Sequence, residues 1–200
     1  MSRGRFVHLS DYFIDGPIIK HLFAKTGIKY KSGDTVLADI TETFKIDYRL
    51  GVIINSKFVD IANIEVGKKP TDLKIKEDHV KLILEAKSIV SRIISQFQFI
   101  SPPSIEVSSL QICGFKGDLL QSTMQFVTQR SVDRIRLPLS TNNSQVMASF
   151  LQRLLLFREK VLSAASDIKD QVNDAIDRRS SLSPQLERNL PNYRSWLNNH

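Results

Sequence analysis

Apolar and polar positions alternate most clearly between Thr43 and Ile54, where Phe44, Ile46, Tyr48 and Leu50 fall on one side of an extended segment and Lys45, Asp47 and Arg49 on the other. A period of two predicts a half-buried strand. A polar turn near Asn55, Ser56 and Lys57 precedes a second stretch, Phe58 to Val66, rich in Val and Ile, and the economical arrangement of the two is an antiparallel hairpin. Upstream, Gly16-Pro17 followed by Ile18, Ile19, Leu22 and Phe23 predicts a short helix that opens on proline and closes at Gly27.

Beyond the hairpin, Pro70 to Lys76 reads as a charged loop, and Asp78 as the cap of a long helix. Val80, Ile83, Leu84, Val90, Ile94 and Phe97 recur in it at helical spacing, widened by Leu82, Ile89 and Ile93. So broad an apolar surface suits a crossover helix lying on a sheet, and Ser101-Pro102-Pro103 ends it. Three more strands are predicted at Ile105 to Cys113, Leu119 to Thr128 and Val132 to Leu137, the first break being a hairpin signal. Asn142 to about Asp177 is helical, with Met147, Phe150, Leu151, Leu154, Leu155, Val161 and Leu162 as its core-facing set and a break near Ser163 to Ser166. This order predicts an α/β (α+β) protein with a central mixed sheet, a long crossover helix and C-terminal helices. One domain is expected over residues 1–179, with its core at about 35–160, followed by a loosely held polar tail at 180–200. In that tail Tyr193 and Trp196 flank Arg194.

Composition narrows the class more than the shape. With 42% apolar and 24% charged residues, the chain of 200 can bury a core without covalent staples. Its one cysteine, Cys113, lies among apolar neighbours and reads as a small buried hydrophobe, so a disulfide framework is excluded and a reducing compartment, nucleus or cytoplasm, is expected. No window approaches the roughly 18 apolar residues of a membrane span, and no apolar stretch follows Met1 to Arg5 as in a leader. A soluble intracellular protein is therefore expected. The formal charge of +7 permits attraction to a phosphate backbone. Because the basic residues are dispersed (Lys29 and Lys31, Lys68 and Lys69, Lys74 and Lys76, Arg178 and Arg179), folding would have to assemble any positive groove.

The hairpin is where chemistry concentrates. Asp47 near its start and Glu65 and Lys68 near its end supply two carboxylates and an ammonium, the groups a metal-dependent phosphodiesterase needs. Together with Asn-Ile-Glu-Val-Gly-Lys-Lys-Pro at 63–70, Asp-His-Val-Lys-Leu-Ile-Leu-Glu-Ala-Lys at 78–87, Leu-Gln-Ile-Cys-Gly at 110–114 and Arg-Leu-Pro-Leu at 136–139, this succession resembles divergent members of the PD-(D/E)XK, or restriction-endonuclease-like, nuclease superfamily. The resemblance covers about Thr35 to Lys160.

The resemblance implies a restriction-endonuclease-like fold and Mg²⁺- or Mn²⁺-dependent cleavage of DNA phosphodiester bonds. Asp47 and Glu65 would be metal ligands and Lys68 the catalytic lysine. Two residues, where the superfamily pattern has one, separate Glu65 from Lys68, and on a regular strand that spacing points side chains to opposite faces. A bulge at Gly67 with positive φ would reunite them. Two hairpin registers are open: a three-residue loop centred on Ser56 sets Asp47 opposite Glu65, whereas a two-residue turn at 55–56 sets it opposite Ile64, with the carboxylates on different faces. Gln111, Lys69 and Glu42 are further candidates for the site. Glu85 and Lys87 read as a solvated strip in mid-helix, and His79 as a surface residue. The alternative function is a catalytically inactive nucleic-acid-binding or protein-interaction module on the same scaffold, for which the apolar stripe from Val146 to Val161 offers a surface unless it packs on its own sheet.

Overall fold

Six strands lie side by side in sequence order in the computed structural model, which describes residues 17–35, 46–67, 71–114, 116–123, 129–136 and 143–181. They are β1 (Lys29–Thr35), β2 (Ile46–Ile54), β3 (Lys57–Gly67), β4 (Glu106–Cys113), β5 (Lys116–Thr123) and β6 (Gln129–Arg136). Neighbours are antiparallel except β3 and β4, which run parallel. A parallel pair needs a long return, and helix α2 (Asp72–Gln96) supplies it as the predicted crossover. Helix α2 packs on β3 and β4 on one face of the mixed α/β sheet. The opposite face carries α3 (Ser144–Ser181), which is tied to α1 (Pro17–Leu22) by an edge-to-face contact of Phe157 with Phe23 and by the Arg158 guanidinium donating to the Leu22 carbonyl.

The pattern of the chain accounts for the layers, with several corrections. Strand β1 was not predicted, because Lys-Tyr-Lys-Ser-Gly-Asp-Thr is an edge strand with almost no apolar alternation. Helix α2 begins at Asp72, capped by Thr71, whose hydroxyl accepts from Lys74 N at 3.2 Å, so much of the expected charged loop is its exposed first turn. Its buried face is Leu82, Ala86, Ile89, Val90, Ile93 and Ile94, which holds most of the predicted stripe, whereas Val80 and Leu84 of that stripe are 52% and 39% exposed. In place of C-terminal helices there is one continuous helix. Ala164 and Ala165 carry α3 through the expected break and are themselves buried. Phe150, Leu154, Phe157, Val161, Ile168 and Val172 form its core side, while Leu151 and Leu155 stand about half exposed. Strands β5 and β6 begin three residues earlier than predicted, and the predicted residues Phe44, Tyr193, Arg194 and Trp196 lie outside the described part. Among the described residues, no helix is long and apolar enough to cross a membrane.

Two adjacent strands are brought together closely at Gly51. A Cβ there would sit 2.4 Å from the Val59 carbonyl oxygen and 2.6 Å from the Phe58 ring, which folds over the glycine and receives the Lys31 ammonium on its face at 4.3 Å. Gly51→Ala is expected to destabilise the protein by about 2 kcal/mol, since the nearest obstacle is main chain and cannot rotate away. Urea unfolding checks this, and a midpoint equal to that of the parent chain would contradict it.

Candidate active site

The hairpin turn has two residues: Asn55 and Ser56 both take left-handed φ, at 49° and 63°, and Ile54 pairs with Lys57. By itself that turn would set Asp47 opposite Ile64. Higher up, Gly51 pairs with Asp60 but Leu50 with Ala62, so β3 carries one extra residue, Ile61, as a bulge. From there Tyr48 pairs with Ile64, and the next step of the register brings Asp47 opposite Glu65. Neither register anticipated from the sequence is the one found; the turn of one is combined with the outcome of the other. Asp47 is fixed by Val66 N–H, which donates to its Oδ2 at 2.7 Å.

Glu65 neighbours Gln111 across the parallel seam. Both face α2: Lys81 Nζ donates to Glu65 Oε1 at 2.8 Å, and Gln111 Nε2 donates to the Ile75 carbonyl at 2.8 Å. Lys81 also lies 3.8 Å from Asp78 Oδ1, which pairs with Lys74. The Gly67 bulge is not found. Gly67 pairs regularly with Cys113 and its φ lies outside the left-handed region. The glycine serves close approach instead, because an added Cβ would meet Cys113 Sγ at 2.8 Å and Asp78 Oδ2 at 3.3 Å. Lys68, Lys69 and Glu42 lie outside the described residues.

Charge is deeply buried here. Burial pushes the Asp47 carboxyl above the usual carboxylate range, against the opposing Val66 hydrogen bond and Lys81 charge. Glu65 is pushed up to about 7 by burial and by Asp47, even though Lys81 holds it down. Lys74 is raised because its hydrogen bond to Asp78 and the negative charge there outweigh its partial burial. Burial, with Asp78 beside it, raises the Cys113 thiol, in keeping with a neutral core cysteine. Burial thus favours the neutral form of Glu65 more than for an ordinary carboxyl.

Further along the same layer, Arg49 Nε donates to Asp60 Oδ1 at 2.9 Å, and Arg92 Nη1 lies 3.7 Å from Asp60 Oδ2. Glu85, expected to be solvated, is fully buried, and neither of its oxygens has a hydrogen-bond partner. Burial pushes it up to about 7, with Arg49 opposing.

Glu65 Oε2, Asp78 Oδ2 and Gln111 Oε1 are also buried without a hydrogen-bond partner. Hard oxygen donors of this kind suit Mg²⁺ or Mn²⁺. Among the described residues, no three His, Cys, Asp or Glu side chains are grouped so as to hold a metal ion. Magnesium is commonly held by one or two carboxylates, with water and substrate phosphate completing the shell, a number that Asp47 and Glu65 on neighbouring strands would supply. Sequence reasoning missed Lys81 and Asp78. The available signal was the interruption of the apolar stripe by Asp78, Lys81 and Glu85, three polar residues at helical spacing. Compared with family models, with curated proteins and with solved structures, the chain matches none.

A carboxyl whose folded pKa is raised makes the folded state bind more protons than the unfolded one. Its stabilising share is complete below about 4.5 and is lost as pH rises through about 7. Glu85→Gln abolishes that loss, so the variant should gain on the parent by about 2–3 kcal/mol between pH 4.5 and 8. Urea melts across that range test it, and parallel pH profiles would refute it.

Proposed function

We propose that this protein is a metal-dependent phosphodiesterase acting on DNA, on a restriction-endonuclease-like scaffold, with Lys81 of the crossover helix in the role the resemblance gives to Lys68. The observation that carries the reading is Lys81 Nζ at 2.8 Å from Glu65, which stands one strand from Asp47. Support also comes from position: the cluster lies near the carboxyl ends of the parallel strands β3 and β4, under the first turns of α2, close to where sheets of this kind bind their ligands. The antiparallel β1–β3 meander followed by a helical crossover to a parallel β4 is consistent with the scaffold.

Asp47 and Glu65 would hold the cation. A bound Mg²⁺ or Mn²⁺ supplies Lewis acidity toward the phosphate and lowers the pKa of water. Glu65, the ligand that Lys81 also touches, would set the cation beside that ammonium. Lys81 directs its charge to the oxygens on which negative charge grows during displacement. Asp78 positions Lys81 from the same helix, and Gln111, anchored on Ile75, fills the neighbouring place on β4.

A second reading, an inactive nucleic-acid-binding module on the same scaffold, draws on the same ion pairs: Lys81 and Lys74 already neutralise Glu65 and Asp78 from within. Purified protein incubated with supercoiled plasmid and Mg²⁺ or Mn²⁺ separates the two. Nicking is expected, reduced about a hundredfold or more by Asp47→Asn and by Lys81→Met. A parent chain that nicks no faster than the Asp47→Asn, Glu65→Gln double variant would remove the catalytic reading.

A further inference from the structure

We propose that Lys116, Arg134 and Arg136 form the track on which the phosphate backbone of duplex DNA lies as it approaches the carboxylate cluster; this rests on DNA being the substrate class. The register places them. Glu65 pairs with Gln111, Gln111 with Asp118 and Asp118 with Arg134, so these four side chains share the sheet face that carries α2. The adjacent row runs Gly67, Cys113, Lys116, Arg136 on the same face, and its Gly67 end abuts Asp78. Helix α2 covers β3 and β4 but only skirts β5, so among the described residues this part of the face is open.

All three basic side chains are exposed, and among the described residues none of them enters an ion pair. On the other face, Ile135 and Leu119 are buried and Asp133 pairs with Arg153 of α3, so the charge is segregated by face. Edge strands are often blunted with charge, but Lys116 belongs to an interior strand and aligns with Arg136. Arg134 and Arg136, alternate residues of one strand, are about 6.8 Å apart along it, close to the step between neighbouring phosphates of a nucleic-acid strand. Three inter-strand steps of about 4.8 Å separate Arg134 from Glu65, which sets the track roughly two phosphates from the carboxylates.

The test is fluorescence anisotropy with a labelled duplex DNA in EDTA, so that no cleavage intervenes. The triple variant Lys116→Gln, Arg134→Gln, Arg136→Gln is expected to bind at least tenfold more weakly at low salt. Its slope of log affinity against log salt should be lower by about 2–3. A control with equal charge loss at the far end of the molecule, Lys20→Gln, Lys29→Gln, Lys57→Gln, should lose less than threefold. Equal losses in the two variants, or an unaltered affinity and slope in the first, would overturn the track, as would a parent chain that does not bind DNA. Hydrolysis of bis(p-nitrophenyl) phosphate with Mn²⁺ gives the separate readout. The track variant should retain it and Asp47→Asn lose it. Absence of hydrolysis in the parent, with track-dependent binding intact, would sink the phosphodiesterase reading and leave the track standing.

Discussion

The bulge at Ile61 governs which side chains of the β2–β3 hairpin share a face. Strand geometry alternates strictly, so a one-residue slip would carry Asp47 to the apolar side of the sheet beneath α3 and strand an ionisable group in the core. With the bulge, Asp47 and Glu65 stand side by side on the α2 face, and Lys81 comes down on Glu65. The neighbouring glycines serve the same packing by a different means. Gly51 and Gly67 leave room for Phe58 and for Cys113 with Asp78, so the hairpin lies close to what covers it.

Between α2 and the sheet the protein therefore keeps a polar layer where a hydrophobic one would be ordinary. Arg49, Asp60, Asn63, Glu65 and Gln111 from the strands meet Asp78, Lys81, Glu85 and Arg92 from the helix. Buried ion pairs of this kind seldom raise stability over apolar packing, because desolvation cancels most of the attraction. Several oxygens lack partners altogether. Layers that hold ionisable groups at such expense are a common property of functional sites. The apolar second half of α2, with Ile89, Ile93 and Ile94 wholly or almost wholly buried, anchors the helix so that its polar first half stays in place.

Much of the scaffold was legible in the chain. The alternation in β2, the Val and Ile density of β3 and the crossover helix follow from side-chain period, although that helix ends at Gln96, ahead of the Ser101-Pro102-Pro103 expected to stop it. Strand β1 was not legible because its residues are mostly polar, and the first turn of α2 was hidden because Lys74, Lys76 and Glu77 read equally well as a loop. The bulge left only a change of parity: Asp60 and then Asn63 and Glu65 share one face, and the step of three between Asp60 and Asn63, lost among the apolar residues around it, is where one residue is added. Lys81 was invisible for a related reason. Its meaning depends on which turn of α2 passes over Glu65, and that is settled by packing between elements distant in sequence.

The parallel seam between β3 and β4 joins two local meanders, β1-β2-β3 and β4-β5-β6, each held by pairings between strands consecutive in sequence. Every other adjacency in the sheet can form early from nearby residues, whereas the seam must wait for a whole helix to form and swing back. Until it closes, two strand edges remain bare, the hazard that makes such intermediates prone to associate. Asp47 and Glu65 belong to the first meander and Gln111 to the second. The carboxylate pair is thus set within the first meander while its β4 flank arrives only when the seam closes, and a ligand that bridges them would act as a late clasp on the folding pathway.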